Sequence, residues 1–160
     1  MIPERVLNVL KFVVEDLKNK GIRWVLVGSL SLALQGVDIE PKDIDILTTK
    51  DDALRLNKLW EQYKIKDVSF GETEHFRSYY GKFRINDVNI EVMGDLEEKI
   101  EGKWVSLNKR LESPVFVNVL GIQVPVSSLE EQLSSYEKSK RQKDILRVKK
   151  IHEALAKQKG

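Results

Sequence analysis

The sequence predicts an α+β fold in which helices pack on a mixed, mostly antiparallel sheet. Two pairs of strand-like segments, in residues 79–93 and 115–126, flank short turns in the manner of antiparallel hairpins. Segments near both ends of the chain carry apolar residues at helical spacing. A chain of 160 residues with 41% apolar content can bury a substantial core. We therefore expect one domain over residues 1–160, with a C-terminal helical region at 126–157.

The first predicted elements are a helix, a strand and a second helix. The first helix has Pro3 in its first turn and stops at Gly21. Residues 24–27 form a short apolar strand. Ser29 is placed to cap the following helix, which Gly36 ends.

The next strand, residues 43–48, alternates acidic and apolar side chains. Because successive side chains of a strand point to opposite faces, Asp43 and Asp45 are predicted to share one face, with Ile44 and Ile46 on the other. Thr49 follows as a helix cap.

A strand at residues 65–70 and a hairpin come next. The hairpin arms are residues 79–85 and 88–93, joined by Asn86 and Asp87, which tolerate positive φ. Alternation in the second arm places Glu91 on its polar face.

The last third of the chain predicts an irregular segment, a hairpin and helices. Residues 94–112 are charged and irregular, with one short helix. Residues 115–119 and 122–126 form a second hairpin around Leu120 and Gly121. Capping boxes beginning at residues 127 and 128 then introduce one broken helix or two consecutive helices.

Composition excludes several classes of function. The chain has no cysteine, which rules out disulfides and thiolate metal sites. No phosphate loop of the Gly-rich Lys-Ser/Thr type, Gly-x-Ser-x-Gly motif or dinucleotide fingerprint is present. His75 and His152 lack further ligands at zinc-site spacing. Without a membrane-length apolar run or a signal peptide, the protein is expected in the cytoplasm, with no membrane partner.

Charge is nearly balanced overall but uneven locally. Net charge is +2, from 27 basic and 25 acidic residues, which does not indicate coating of nucleic acid. Residues 138–150, however, hold seven basic residues and one acid, Asp144. This segment is equally compatible with a solvated helix surface and with a cationic face for phosphates, nucleic acid included.

Three acids on two strands indicate a metal site. Asp43, Asp45 and Glu91 would lie close together if their strands were neighbours in one sheet. Mg²⁺ prefers carboxylate oxygens, commonly one or two carboxylates together with substrate phosphates. An isolated Asp-x-Asp is commonly only a polar strand face, but three acids crowded together would repel each other without a cation.

The turn at Gly28 and Ser29 complements these acids. Glycine lets the backbone approach a phosphate, and backbone N–H groups with a serine hydroxyl can bind the anion. A plain strand-to-helix turn capped by Ser29 is the alternative.

The order of these motifs resembles the nucleotidyltransferase superfamily typified by DNA polymerase beta, and most closely its small single-domain prokaryotic members. The segments that carry the resemblance are VLVGSLSLALQG, DIDIL and VNIEVMGD. The resemblance implies that Gly28 and Ser29 hold the triphosphate of an NTP. It also implies that Asp43 and Asp45 ligate Mg²⁺ and that Glu91 is the third acid.

The segment SYEKSKRQKDILRVKKI resembles a Lys and Arg-x-Lys-Asp segment of relatives allied to abortive-infection and antibiotic nucleotidyltransferases. The resemblance implies that Lys138 and Arg141 bind phosphate and that Asp144 helps to organise the site. The chain departs from the family at Ile39 and Pro41, where many relatives have Arg and Thr, and in having Glu instead of Asp as third acid.

Two functions are therefore expected. The first is Mg²⁺-dependent transfer of a nucleoside monophosphate from an NTP such as ATP to an acceptor hydroxyl or phosphate. The second is a non-catalytic nucleotide- or partner-binding module of the same fold, such as an antitoxin. The acceptor is left open, and it is bound by this small domain, by a second copy in a homodimer or by a partner protein.

Overall fold

The computed structural model describes residues 1–139 and 141–159, which form five α-helices and an eight-stranded sheet. The helices are α1 (Glu4–Asn19), α2 (Gly28–Leu34), α3 (Lys50–Leu59), α4 (Leu129–Glu137) and α5 (Gln142–Lys159). The strands are β1 (Trp24–Val27), β2 (Ile44–Thr48), β3 (Lys64–Glu72), β4 (Phe76–Ile85), β5 (Val88–Ile100), β6 (Lys103–Ser106), β7 (Val115–Val119) and β8 (Ile122–Val126). The predicted α+β class is confirmed.

The sheet is mixed and mostly antiparallel. Its strand order is β3-β4-β5-β2-β1-β8-β7, and β6 pairs with β5 beside this path. Only the β2–β5 and β1–β8 pairings of the described residues are parallel. The order places β2 between β1 and β5, so the strands carrying Asp45 and Glu91 are direct neighbours, which is the condition under which the sequence places these acids close together.

The two faces of the sheet are covered differently. Alternation along β2 sends Ile44 and Ile46 into the main core, where they pack with buried residues of α1 and α3. Leu47 lies on the opposite face in a smaller cluster with Val25 and Val27. A third cluster joins α2, α4 and α5. The face that carries Asp45 is therefore the one on which helices leave a cleft open.

Two predicted helix starts differ from the structure. Pro3 is the N-cap of α1 and lies outside the helix, while Gly21 follows the helix at φ +66°, as a C-terminal stop requires. The prediction that Ser29 caps α2 is wrong, because α2 begins at Gly28 and its N-cap is Val27, with no side-chain cap. Only glycine adopts the φ of +78° at position 28 without strain, and this conformation turns the chain directly from β1 into α2.

Both predicted hairpins are present, and so is the predicted cap of α3. Asn86 and Asp87 have φ of +46° and +61°, and Leu120 and Gly121 have φ of +51° and +83°, values that two-residue hairpin turns need. Thr49 accepts a hydrogen bond from the Asp52 backbone N–H at 3.1 Å.

The prediction of an irregular segment at residues 94–112 is wrong over most of its length. β5 continues to Ile100, turns through Glu101 and Gly102 at positive φ, and pairs antiparallel with β6. Leu96 and Glu98 are buried at alternate positions, so the segment has a strand period that its charged residues hide. The predicted short helix is a 3-10 turn at Asn108–Leu111.

The C-terminal region forms two helices, one of the two predicted alternatives. Ser128 and Glu131 make a reciprocal capping box at the start of α4. In the described part of the chain, no helix is long and apolar enough to cross a membrane.

Candidate active site

Two carboxyl groups lie side by side on the open face of the sheet. Asp45 of β2 and Glu91 of β5 are register partners in the parallel pairing. The Tyr80 hydroxyl donates to Glu91 Oε1 at 2.7 Å. Burial, Glu91 and the charge of Asp43 raise the pKa of Asp45 well above its ordinary value, while the charge of Arg147 opposes the shift.

Asp43 lies at the entrance of this strand, one residue before β2 begins. It is half-buried and does not line the cleft. Its charge nevertheless contributes to the raised pKa of Asp45. In residues 1–139 and 141–159, no group of three or more His, Asp or Glu side chains is arranged to hold a metal ion.

The donor set nevertheless fits a hard cation. Asp45 Oδ1 is buried and has no hydrogen-bond partner within the described residues, so its lone pairs are available to a cation. Mg²⁺ commonly takes one or two carboxylates and completes its shell with substrate phosphates and water. Two acids therefore suffice for a site that the nucleotide completes.

Gly28 packs directly against the Asp45 carboxylate. β1 pairs with β2 so that Val27 is the register partner of Asp45, which brings the turn at Gly28 over the acid. A Cβ at position 28 would collide with Asp45 Oδ2. The glycine thus permits the close approach that the sequence predicts, although the group that approaches is the carboxylate.

The backbone N–H of Gly28 already has a partner. It donates to Oε1 of Gln132 on α4 at 3.0 Å, and the Gln132 amide nitrogen donates to Ser31 Oγ and to the Ser127 carbonyl, both at 2.9 Å. Gln132 is 1% exposed. Ser29 is half-buried and does not line the cleft. Of the predicted phosphate-binding pair, only Gly28 borders the open space.

That space is a cleft of about 590 Å³. Its walls come from the turn after β1, from β2 to β5 on the sheet and from the α4–α5 region. Asp45, Glu91 and Glu72 are its acidic residues, and its basic residues are Lys66, Arg77, Arg110, Arg141 and Arg147. A volume of this size is typical of small-molecule and cofactor sites.

The α5 side of the cleft carries two arginines. Arg141 Nε donates to Asp144 Oδ2 at 2.7 Å, and Asp144 is fully buried, so the predicted organising acid holds the predicted phosphate ligand. Arg147 donates to the Tyr136 hydroxyl at 3.2 Å and lies over that ring. Lys138 does not line the cleft, and its ammonium group lies 3.6 Å from Glu98 Oε1.

Several cleft residues carry no signal in the sequence. Arg110 is 7% exposed and donates to the Glu131 carbonyl and Ser135 Oγ, a position that only the approach of α4 to the turn at residues 108–111 creates. The sequence around Gln132 likewise predicts only a helix and gives no indication of its contact with Gly28. Phe76 and Tyr80, which follow His75 closely in the sequence, line the cleft, whereas His75 is exposed.

Comparison with known proteins agrees with this architecture. The sequence model of the aminoglycoside-2''-adenylyltransferase family matches residues 9–151. The fold is similar to the crystal structure of TM1012 from Thermotoga maritima, which is assigned as a nucleotidyltransferase, with 36% identity and a TM-score of 0.81 over 98% of this chain and 94% of that one. No curated protein sequence matches this chain.

Two structures of ANT(2'')-Ia share the fold at low identity. The crystal structure with adenylyl-2''-tobramycin has 10% identity and a TM-score of 0.59, covering 96% of this chain and 91% of that one. The solution structure of this antibiotic-resistance factor has 13% identity and a TM-score of 0.58, covering 93% and 83%. The match over residues 9–151 shows that this chain belongs to the aminoglycoside-2''-adenylyltransferase family, a family of nucleotidyltransferase enzymes.

Proposed function

We propose that this protein transfers a nucleoside monophosphate from an NTP to an acceptor hydroxyl or phosphate, with Mg²⁺ as cofactor. The observation that supports it best is the adjacent Asp45 and Glu91 pair beneath the Gly28 turn, at the floor of a cleft with arginines on one wall. Asp43, Asp45 and Glu91 would be the ligands of Mg²⁺, which when bound neutralises charge that develops on the phosphates.

The chain's own residues would divide the remaining tasks. For a hydroxyl acceptor, the acceptor oxygen forms a bond to the α phosphorus, the bond between that phosphorus and the bridging oxygen to the β phosphate breaks, and pyrophosphate leaves. Glu91, oriented by the Tyr80 hydroxyl, would take the proton of the attacking hydroxyl. Arg141 and Arg147 would stabilise charge on the phosphates.

Gly28 and Ser29 would contact the triphosphate with their backbone and with the Ser29 hydroxyl. Because the Gly28 N–H is bonded to Gln132, its part would be close approach and not donation. Lys138 would contribute only after its ammonium group leaves Glu98.

Replacing one carboxylate tests the proposal. Asp45→Asn keeps the shape of the side chain but removes its charge, and we expect at least a roughly 100-fold loss of Mg²⁺-dependent NTP turnover with an unchanged circular dichroism spectrum. The matched control is Asp38→Asn, which changes an exposed residue and should leave turnover unaltered. Retained turnover in Asp45→Asn would remove Asp45 from the mechanism.

A non-catalytic binding module is the second candidate. It is favoured by the absence of a group of three metal ligands within the described residues and by the bond that already occupies the Gly28 N–H. Calorimetry with ATP and Mg²⁺, combined with pyrophosphate release over a broad acceptor panel, separates the two. Binding without turnover for any acceptor supports the module, and Mg²⁺-dependent release supports the enzyme.

A further inference from the structure

Two lysines continue the row of catalytic candidates across the sheet. Glu91 of β5 is the register partner of Lys82 on β4, and Lys82 is in turn the register partner of Lys66 on β3. Side chains of register partners lie on the same face of a sheet. The row on the open face is therefore Lys66, Lys82, Glu91 and Asp45, with two cations immediately beyond the two acids.

Side-chain contacts support this placement. Lys66 lies with its ammonium group 5.3 Å from the centre of the Tyr80 ring, and it lines the cleft. Tyr80 is two residues before Lys82 on β4 and bonds to Glu91, so both residues of β4 share the face of Glu91. A β-bulge on either side of Lys66 lets this side chain face the cleft while Val68 enters the core.

No contact within the described residues explains why two lysines lie directly opposite each other in the sheet. Like charges directly opposite each other destabilise a sheet. Neither Lys66 nor Lys82 forms an ion pair with any Asp or Glu of residues 1–139 and 141–159. Such a pair is stabilised by an anion bound between the two ammonium groups.

The charges of the cleft distinguish two cationic groups. Arg147 of α5 acts on the charge of Asp45, and Arg141, which precedes α5, lines the same cleft. Lys66 lines the cleft on the β3–β4 side, and Lys82 does not line it but lies between Lys66 and Glu91 in the row of register partners. Once Asp45 and Glu91 are engaged with a cation, Glu72 is the remaining acidic residue among the described residues that line the cleft, and it lies 4.0 Å from Arg77. Among the described residues that line the cleft, this leaves a single carboxylate, Glu72, for an acceptor with several ammonium groups.

We propose that the Lys66 and Lys82 pair binds a phosphate group of the acceptor whose hydroxyl is deprotonated at Glu91. The inference rests on the proposed nucleotidyl transfer and adds the chemical class of its acceptor, a phosphorylated molecule. An aminoglycoside, which carries several ammonium groups, does not fit this class.

The test is a calorimetric titration of inorganic phosphate into protein saturated with Mg²⁺ and an ATP analogue that has a methylene group between the α and β phosphorus atoms. The analogue fills the nucleotide side, so phosphate reports on the acceptor side. We expect Lys66→Gln/Lys82→Gln to bind phosphate at least about 10-fold more weakly than the unaltered protein. Lys11→Gln/Lys18→Gln on the exposed side of α1 removes the same charge and should change nothing.

Three results would overturn the inference. These are no phosphate binding by the unaltered protein, equal phosphate affinity in Lys66→Gln/Lys82→Gln, and an equal loss in both double variants. A loss of affinity for the ATP analogue in Lys66→Gln/Lys82→Gln would also overturn it, because the pair would then belong to the nucleotide. If the analogue does not bind at all, the proposed function fails, while a phosphate titration without it still tests the lysine pair.

Discussion

At position 28, the Asp45 carboxylate occupies the space that any side chain would need. The glycine is required twice, once for its φ of +78° and once for its contact with Asp45 Oδ2. The contact also brings the Gly28 turn, proposed to approach the triphosphate, against Asp45, proposed to bind Mg²⁺. Both proposed roles therefore depend on the absence of a Cβ at position 28.

Gly28→Ala should therefore destabilise the protein by more than about 2 kcal/mol, since left-handed backbone strain and a steric collision add. Gly21→Ala is the matched control, because Gly21 has φ +66° but open space around its Cβ position. It should show the strain alone, about 1–2 kcal/mol. Both are measured by urea unfolding.

A double variant isolates the collision. In Gly28→Ala/Asp45→Ala the carboxylate is gone, so the loss of unfolding free energy should be smaller than the sum of the two single variants. Additive losses would show that Gly28 and Asp45 are not in contact.

At the scale of elements, Gln132 ties α4 to the start of α2 and to the end of β8. Its amide satisfies the Gly28 N–H, Ser31 Oγ and the Ser127 carbonyl in a fully enclosed position. These hydrogen bonds fix the position of α4 relative to the Gly28 turn, which packs against Asp45.

Gln132→Met keeps the length of the side chain but leaves the Gly28 N–H without its partner, whereas Ser31 Oγ and the Ser127 carbonyl keep hydrogen bonds from the Gln35 amide nitrogen. We expect a loss of about 1–3 kcal/mol of unfolding free energy, because one buried unsatisfied group costs about that much. Ser134→Ala, on the exposed side of the same helix, should change stability little. Equal stability of the two variants in thermal unfolding would contradict this role.

Asp16 joins α1 to the end of α3. It accepts hydrogen bonds from Lys20 and from the Trp60 indole at 2.6–2.7 Å. Burial raises the pKa of Asp16, but these hydrogen bonds outweigh burial and hold the pKa below its ordinary value of 3.8.

Since this pKa is lowered by folding, the ionised Asp16 stabilises the protein above the ordinary pKa, and that contribution is lost as pH falls through the lowered value. Asp16→Asn should cost about 1 kcal/mol at pH 7. The difference from the unaltered protein should shrink as the pH falls below about 4 in acid unfolding series. A difference that is constant with pH would show that the charge of Asp16 contributes nothing.

Local chemistry explains which elements the sequence predicts well. Asn86, Asp87 and Gly121 tolerate the positive φ that their turns need, so both hairpins are predictable from a few neighbouring residues. Residues 94–106 form a hairpin that the local sequence does not reveal, because Glu98 is buried and its ion-pair partner, Lys138, lies 40 positions along the chain. The parts of the site contributed by Arg110, Gln132 and Arg147 depend on how α4 and α5 pack, which no local pattern encodes.

At the scale of the whole molecule, the order β5-β2-β1 brings residues 28, 45 and 91 together. The family match and the TM1012 fold extend over nearly the whole chain, so this arrangement belongs to the architecture and not to a local motif. A single-domain organisation and the joint action of Asp43, Asp45 and Glu91 stay predictions.

The most direct test of the central claim is a crystal soaked with ATP and Mn²⁺, a Mg²⁺ substitute that anomalous scattering locates. We predict a Mn²⁺ peak between the ATP phosphates and the carboxylate of Asp45, with Glu91 facing the α phosphate and the triphosphate beneath the Gly28 turn. ATP bound in the cleft with Mn²⁺ elsewhere, or Mn²⁺ bound without contact to Asp45, would contradict the account.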